Sequence, residues 1–382
     1  MKTYNLKWNP ISGWHGSAPA AEPIHLALYF GATDALQGGL PYAQLRRQFP
    51  EAQILGCSTG TNIQDLDVQD DGAVGVAISF ASTRVRMAEA AIDATEQSFA
   101  CGAQIATQLL ADDLAAVFVL SDGLVTDGTA LADGLSCVLP AGVPVSGALA
   151  ADGARFGITL VGANEQPGTG RIGAFGLYGK SVHCSYGSAG GWDLFGPLRR
   201  VTASRGNVLL ELDGEPALDL YERYLGDEAS GLPATGLYYP LNIHNPSAPD
   251  ARVVRTVLGV DRQTRSMTFA GSIAEGSTVQ LMRGCHERLV DGAACAAHRA
   301  LGGVDQVRHG DQLALLVSCV GRRLLMGQQC DDEVEAASTI LGARASQLGF
   351  YSYGEITPGS GPGNCELQNQ TMTITCITEE QP

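Results

Sequence analysis

Residues 51–63 read EAQILGCSTGTNI. The apolar pair Ile54-Leu55 runs into Gly56-Cys57-Ser58-Thr59-Gly60, where two glycines bracket three small polar side chains. This is the pattern of a buried strand that ends in a turn approached closely by another group. Near the other end, Phe350-Tyr351-Ser352-Tyr353-Gly354-Glu355-Ile356 repeats the logic: an apolar run, then Ser-x-Gly. Strand ends in α/β domains are where sites are commonly built.

Outward from these turns, apolar runs alternate with helical patterns. Strands are expected at 25–30, 54–57, 115–120 and 143–146, with helices at 41–49, 97–110 and 129–139. Segments 73–80 and 85–92 alternate as a strand pair, and 64–72 reads as a polar loop. Residues 1–23, punctuated by Pro, Gly and Ala, read as a loose lead-in. Residues 156–212 form a strand-rich, Gly-rich middle region. Asp213-Gly214-Glu215-Pro216 opens a helix that Gly226 closes, and a boundary is placed there. The second half is expected to hold strands near 252–258, 265–270, 278–282, 312–317, 348–353 and 371–377, with helices at 286–301 and 333–345. The fold class is therefore α/β: two α/β domains, 24–216 and 217–378, with mostly parallel or mixed sheets flanked by helices. Helix, AAVFVL-Ser, helix in the first half echoes helix, LALLV-Ser, helix in the second. The echo predicts two similar halves.

Composition narrows the function. The 382 residues carry a net charge of −16, which argues against nucleic acid as a partner. The longest apolar runs are too short for a membrane helix, so no membrane insertion is expected. The N-terminal stretch has no apolar core of a secretory signal. With ten cysteines, this points to a reduced, cytoplasmic protein.

Several motifs match chemistry only in letters. Gly56–Gly60 fits the G-x-S-x-G of hydrolases, with Ser58 or Cys57 as nucleophile. The segment after it is an acidic loop rather than the required helix, so no catalytic residue is assigned. Gly179-Lys180-Ser181 ends a loose P-loop pattern, but Val182–Gly187 alternates as a strand where a helix is needed. Cys285-His286 and Cys295-x-x-His298 offer four zinc-ligand types without a C-x-x-C, and no metal is assigned.

In order along the chain, a set of phrases is similar to those of FIST proteins, with N-terminal and C-terminal FIST domains together. They are Gly56-Cys57-Ser58-Thr59-Gly60, Ser121-Asp122-Gly123, Pro144–Asp152 and Leu212–Ala217. Tyr239-Pro240-Leu241, Val254-Arg255-Thr256 and Ile273–Gly276 follow, then Ser318-Cys319-x-x-Arg322, Tyr353-Gly354-Glu355-Ile356 and Asn369–Thr373. The resemblance covers residues 24–378 and implies a sensory module for a small ligand, an amino acid or similar metabolite. It further implies output through a separate partner such as a histidine kinase or a cyclic-dinucleotide enzyme. The NosP-type branch binds haem and senses nitric oxide, so haem is a possible cofactor. Where haem-binding relatives carry His-Pro, this chain has Tyr239-Pro240, which speaks against haem.

The expected ligand site is a cleft between the domains lined by both Ser-x-Gly turns. Backbone N–H groups of Cys57, Ser58, Thr59 and Gly60, and of Tyr353, Gly354 and Glu355, would hold a polar group. Arg255 would fork onto a carboxylate, and Glu355 and Asn369 would meet an amine or amide.

Overall fold

The structure, a computed structural model, describes residues 1–16, 22–244, 252–302, 311–359 and 364–380. Three units of the chain follow one plan. The first is built from β1 (Lys2–Asn9), β2 (Leu26–Gly31), α1 (Leu40–Gln48), β3 (Gln53–Ser58), β4 (Asn62–Gln64) and β5 (Ala73–Ser79). β2 and β3 are parallel, β5 runs antiparallel to β2, and β1 runs antiparallel to β5.

The second unit has β6 (Arg84–Ala91), α2 (Ser98–Leu109), β7 (Leu114–Ser121) and α3 (Gly128–Val138). β8 (Val145–Leu149), β9 (Val161–Ala163) and β10 (Arg171–Tyr178) complete it. Its order repeats: β7 parallel to β8, β10 antiparallel to β7, β6 antiparallel to β10.

The third unit opens with β11 (Val182–Ala189) and resumes at α4 (His286–Leu301), β12 (Gln312–Cys319), α5 (Val320–Met326) and α6 (Asp331–Leu341). It ends with β13 (Ala345–Ser352), β14 (Gly354–Thr357) and β15 (Met372–Glu379). The pairing is again the same. Between β11 and α4, residues 193–283 form an inserted antiparallel sheet with helix Ala217–Leu225 packed on it.

The short strand of each unit is given away. β4 pairs with β13, β14 with β8, and β9 with β3, always antiparallel. The exchange closes on itself: first to third, third to second, second to first. The expected two similar halves are thus three units in a ring.

Period-2 alternation explains the layering. Leu26, Leu28 and Phe30 of β2 point to a core shared with Phe118, Phe175, Leu315 and Phe350 of the other units. Phe30 and Phe350 meet there at 4.4 Å between ring centroids. The opposite faces are covered by helices, as with Ile105 and Leu131 over Val117 and Val119. Sheets buried on both faces need continuous apolar strands, which is why these read as unbroken runs. The insert has its own core around Tyr221, Phe269 and Leu281.

Three expectations are corrected. Residues 1–23 are not a loose lead-in: β1 lies in the first sheet with Leu6 and Trp8 buried, and residues 17–21 fall outside the described residues. Tyr4, Leu6 and Trp8 alternate, which was the missed signal. Segments 73–80 and 85–92 do not pair with each other, because β5 and β6 belong to different sheets. The 64–72 stretch is a loop only in part, since Asp67–Gln69 pairs back on β4.

Candidate functional site

The two Ser-x-Gly turns do meet, together with a third turn after β8. Gly60 N–H donates to Tyr351 O (2.8 Å), Tyr353 N–H to Leu149 O (3.1 Å), and Ala151 N–H to Ser58 O (3.1 Å). The three turns are thus laced into a closed ring where the units join. Ser58 N–H donates to Leu160 O (2.8 Å) and Thr59 N–H to Gly31 O (3.1 Å). Ser58 Oγ accepts from Leu160 N–H (2.9 Å), and Thr59 Oγ1 donates to Asn62 Oδ1 (2.7 Å).

This corrects the expected role of the turns. The N–H groups of Ser58, Thr59, Gly60 and Tyr353 are already spent on protein carbonyls, so these four do not cradle a ligand. Cys57, Ser58 and Thr59 are buried, and burial pushes the Cys57 thiol well above its ordinary pKa. Neither Ser58 nor Cys57 is a reachable nucleophile. Gly60 is required by contact: a Cβ there would lie 2.5 Å from Val320 Cγ2 and 3.2 Å from Tyr351 O. Gly354 sits in the ladder opposite Leu149, with Leu149 and Leu367 side chains against it.

The remaining expected residues are also internal. Tyr353 gives its hydroxyl to Asp152 and Gly153 O, and its ring stacks on Phe156 at 4.6 Å. Arg255 is buried, its Nε donating to Ser272 O (3.1 Å) and its Nη1 to Val254 O (3.2 Å) and Leu367 O (3.1 Å). Burial pulls its pKa down to about 10, opposed by Glu366 and Asp127. It bolts the insert to strand Glu366–Gln368, and the fork expected for a ligand carboxylate is committed to backbone. Glu355 Oε1 accepts from Ser352 Oγ (2.8 Å), and Oε2 from Thr371 N–H (3.2 Å) and Oγ1 (2.9 Å). Burial pushes its carboxyl up to about 8, against the pull of these donors and Arg322. Asn369 is fully buried, and neither end of its carboxamide has a partner.

Next to Glu355, across Thr371, lies an open cleft of about 880 Å³. Thr371 belongs to both, lining the cleft and bonding Glu355. Trp192, Val254 and Met282 form its apolar wall; Arg288, Asp291, Cys295 and Arg299 line it from α4; Glu366 and Gln368 close it opposite. Close packing of α4 on β11 shapes the wall. A Cβ on Gly187 would lie 1.9 Å from Ala296 O, and one on Gly191, at φ +76°, would lie 1.8 Å from Arg288 O. Only glycine fits such positions.

Arg288 Nη2 donates to Asp193 Oδ1 (2.6 Å) and Arg299 Nη1 to Ser188 O (2.6 Å), so both guanidinium groups are anchored at the rim. Trp192 Nε1 donates to Gln370 O (2.7 Å). Gln368 Nε2 donates to Glu366 Oε1 (3.0 Å), while Gln368 Oε1 has no partner. The cleft residues on α4 were legible as a stripe, since 288, 291, 295 and 299 recur at helical spacing. Reading that helix for zinc-ligand types hid the stripe. His286 instead bonds Asp332 at 2.8 Å. Among the described residues that line the cleft there is no histidine.

Among the described residues, no group of three or more His, Cys, Asp or Glu is placed to hold a metal ion. Among the same residues, no helix is long and apolar enough to cross a membrane. No curated protein matches the chain. Family models match as the FIST N domain over residues 25–215 and the FIST C domain over residues 217–358. Their border falls within the insert, yet β4 and β14 carry the sheets across it. Two adjoining matches spanning nearly the whole chain establish that it belongs to the FIST family, whose domains are associated with sensory signal transduction and small-ligand binding.

Proposed function

We propose that this protein senses a small zwitterion, an amino acid or close relative, bound in the cleft between α4 and residues 366–371. The observation that carries this reading is the cleft's composition. Arg288, Asp291 and Arg299 line the cleft from α4, and Trp192, Val254 and Met282 give it an apolar wall. Guanidinium groups suit a carboxylate, Asp291 an ammonium, and the wall an apolar side chain. The volume suits a small metabolite.

Signal output follows from who builds the walls. Val254 and Met282 come from the insert, while α4 belongs to the third unit. A ligand touching both sets their relative position, and a separate partner, a histidine kinase or a cyclic-dinucleotide enzyme by family resemblance, would read that change. The ten cysteines are all unpaired, which supports a reducing, cytoplasmic setting.

Calorimetric titration with each of the twenty amino acids tests the proposal. One or more should bind, and Arg288→Met should weaken binding roughly tenfold or more, the worth of a charge-assisted hydrogen bond. Binding by none, or binding indifferent to Arg288→Met and Trp192→Ala, rejects this cleft as the site.

A further inference from the structure

Residues 368–370 concentrate unpartnered buried polar atoms. Gln368 Oε1, both carboxamide atoms of Asn369 and Gln370 Oε1 lack a hydrogen-bond partner, and all three residues are at least nine-tenths buried. Most buried polar groups in folded proteins are paired, so three adjacent failures mark a place built for a further contact. Three of the four atoms are acceptors.

Of the three residues, Gln368 lines the cleft. Its Nε2 is taken by Glu366 Oε1 at 3.0 Å, so the end left over is the carbonyl oxygen. A carbonyl oxygen accepts and never donates. Oε1 itself is closed off from solvent, so the contact forms when a ligand turns this one side chain, a rotamer change of the kind common on binding.

We propose that Gln368 is the specificity-determining residue of the cleft, admitting ligands whose polar end carries an N–H donor and rejecting those with the same charge but no N–H. The inference rests on the cleft being the ligand site. Primary ammonium, amide and guanidinium groups meet the demand, and a trimethylammonium group does not. A site that hydrogen-bonds its ligand discriminates strongly against an analogue lacking the bond, because the buried acceptor then stays unpaired.

The probes are L-leucine and L-phenylalanine, each with its N,N,N-trimethyl betaine, measured by calorimetry on the full chain. Wild type should bind the amino acid roughly tenfold or more tightly than its betaine. Gln368→Met, close in volume but without an acceptor, should lose about that factor for the amino acid and bind both probes alike. Gln368→Glu, which keeps an acceptor, should retain the amino acid. Thermal unfolding of each variant confirms that it is folded. Equal binding of amino acid and betaine by wild type, or undiminished discrimination in Gln368→Met, overturns the inference. In those cases a loss caused by Arg288→Met still upholds the cleft; binding of none of the four probes overturns the inference, while the cleft itself falls only if none of the twenty amino acids binds.

Discussion

Arg322 and Glu333 form an ion pair wholly closed off from solvent, Nη2 to Oε2 at 2.5 Å, and the pair supports the back of the cleft. Arg322 also donates to Gly190 O (2.6 Å), which lines the cleft, and to Leu289 O (2.8 Å) in α4. Glu333 Oε1 accepts from Ser318 Oγ (2.9 Å) and Tyr351 OH (2.7 Å). The Ser318-Cys319-x-x-Arg322 phrase is thereby explained: its serine and arginine grip the same carboxylate.

Removing one partner of such a pair leaves an uncompensated buried charge. Glu333→Gln or Arg322→Met should therefore cost about 3–5 kcal/mol in urea unfolding. Tyr351→Phe removes one bond to a charged acceptor and should cost roughly 1.5–3 kcal/mol. A loss near zero for all three would show that the pair is not closed off in solution.

Gly60→Val tests the ring of turns. The added Cβ meets Val320 and Tyr351 O, so overpacking should cost about 1–3 kcal/mol by thermal or denaturant unfolding. Because the turn is a joint rather than a ligand cradle, a folded Gly60→Val should bind any cleft ligand as wild type does.

Trp8→Ala should cost about 3–5 kcal/mol, since Trp8 is buried in the first sheet's outer core and its Nε1 donates to Gln44 Oε1 at 2.9 Å. A truly loose lead-in would show almost no change in the unfolding midpoint.

Two buried carboxyls give opposite pH trends. Glu355 holds its proton up to about pH 8 in the fold, against an ordinary value of 4.5. The unfolded chain releases that proton first, so stability falls as pH rises from about 4.5 to about 8. Glu379 is the reverse. Burial disfavours its charge, but the N–H groups of Ala81, Ser82 and Thr83 and the Thr83 hydroxyl outweigh this and hold it down to about 2. Its contribution is present above 4.5 and lost as pH falls through 2. Denaturation followed from pH 2 to 9 should show Glu355→Gln flattening the slope between about 4.5 and 8 and Glu379→Gln the slope below about 4.5.

The strands of the three units were legible because burial on both faces writes an apolar run regardless of context. The triple plan was not, because the exchanged strands are three or four residues long and carry no period of their own. β4, Asn62-Ile63-Gln64, looks like the start of a polar loop, and only β13 makes it a strand. The site fared similarly. Glycine and serine at strand ends signal close approach, and the approach proved to be another turn. The cleft draws on α4, the insert and residues 366–371, and no sequence window holds them together. Arg255 read as a ligand anchor because an arginine's partners are invisible in sequence; here they are three carbonyls.

The closed exchange of short strands also sets an order of events at the ribosome. The edge of β3 is covered once β9 has been made, but β4 must wait for β13 and β8 for β14. At ordinary rates of synthesis that wait is on the order of tens of seconds, during which the nascent chain carries uncovered strand edges. Such edges are templates for wrong pairing, so this protein's yield in a cell depends on what shields them until its last strands emerge. Cutting the chain in the insert leaves each piece with the same exposed edges permanently, and the pieces become stable only by finding one another.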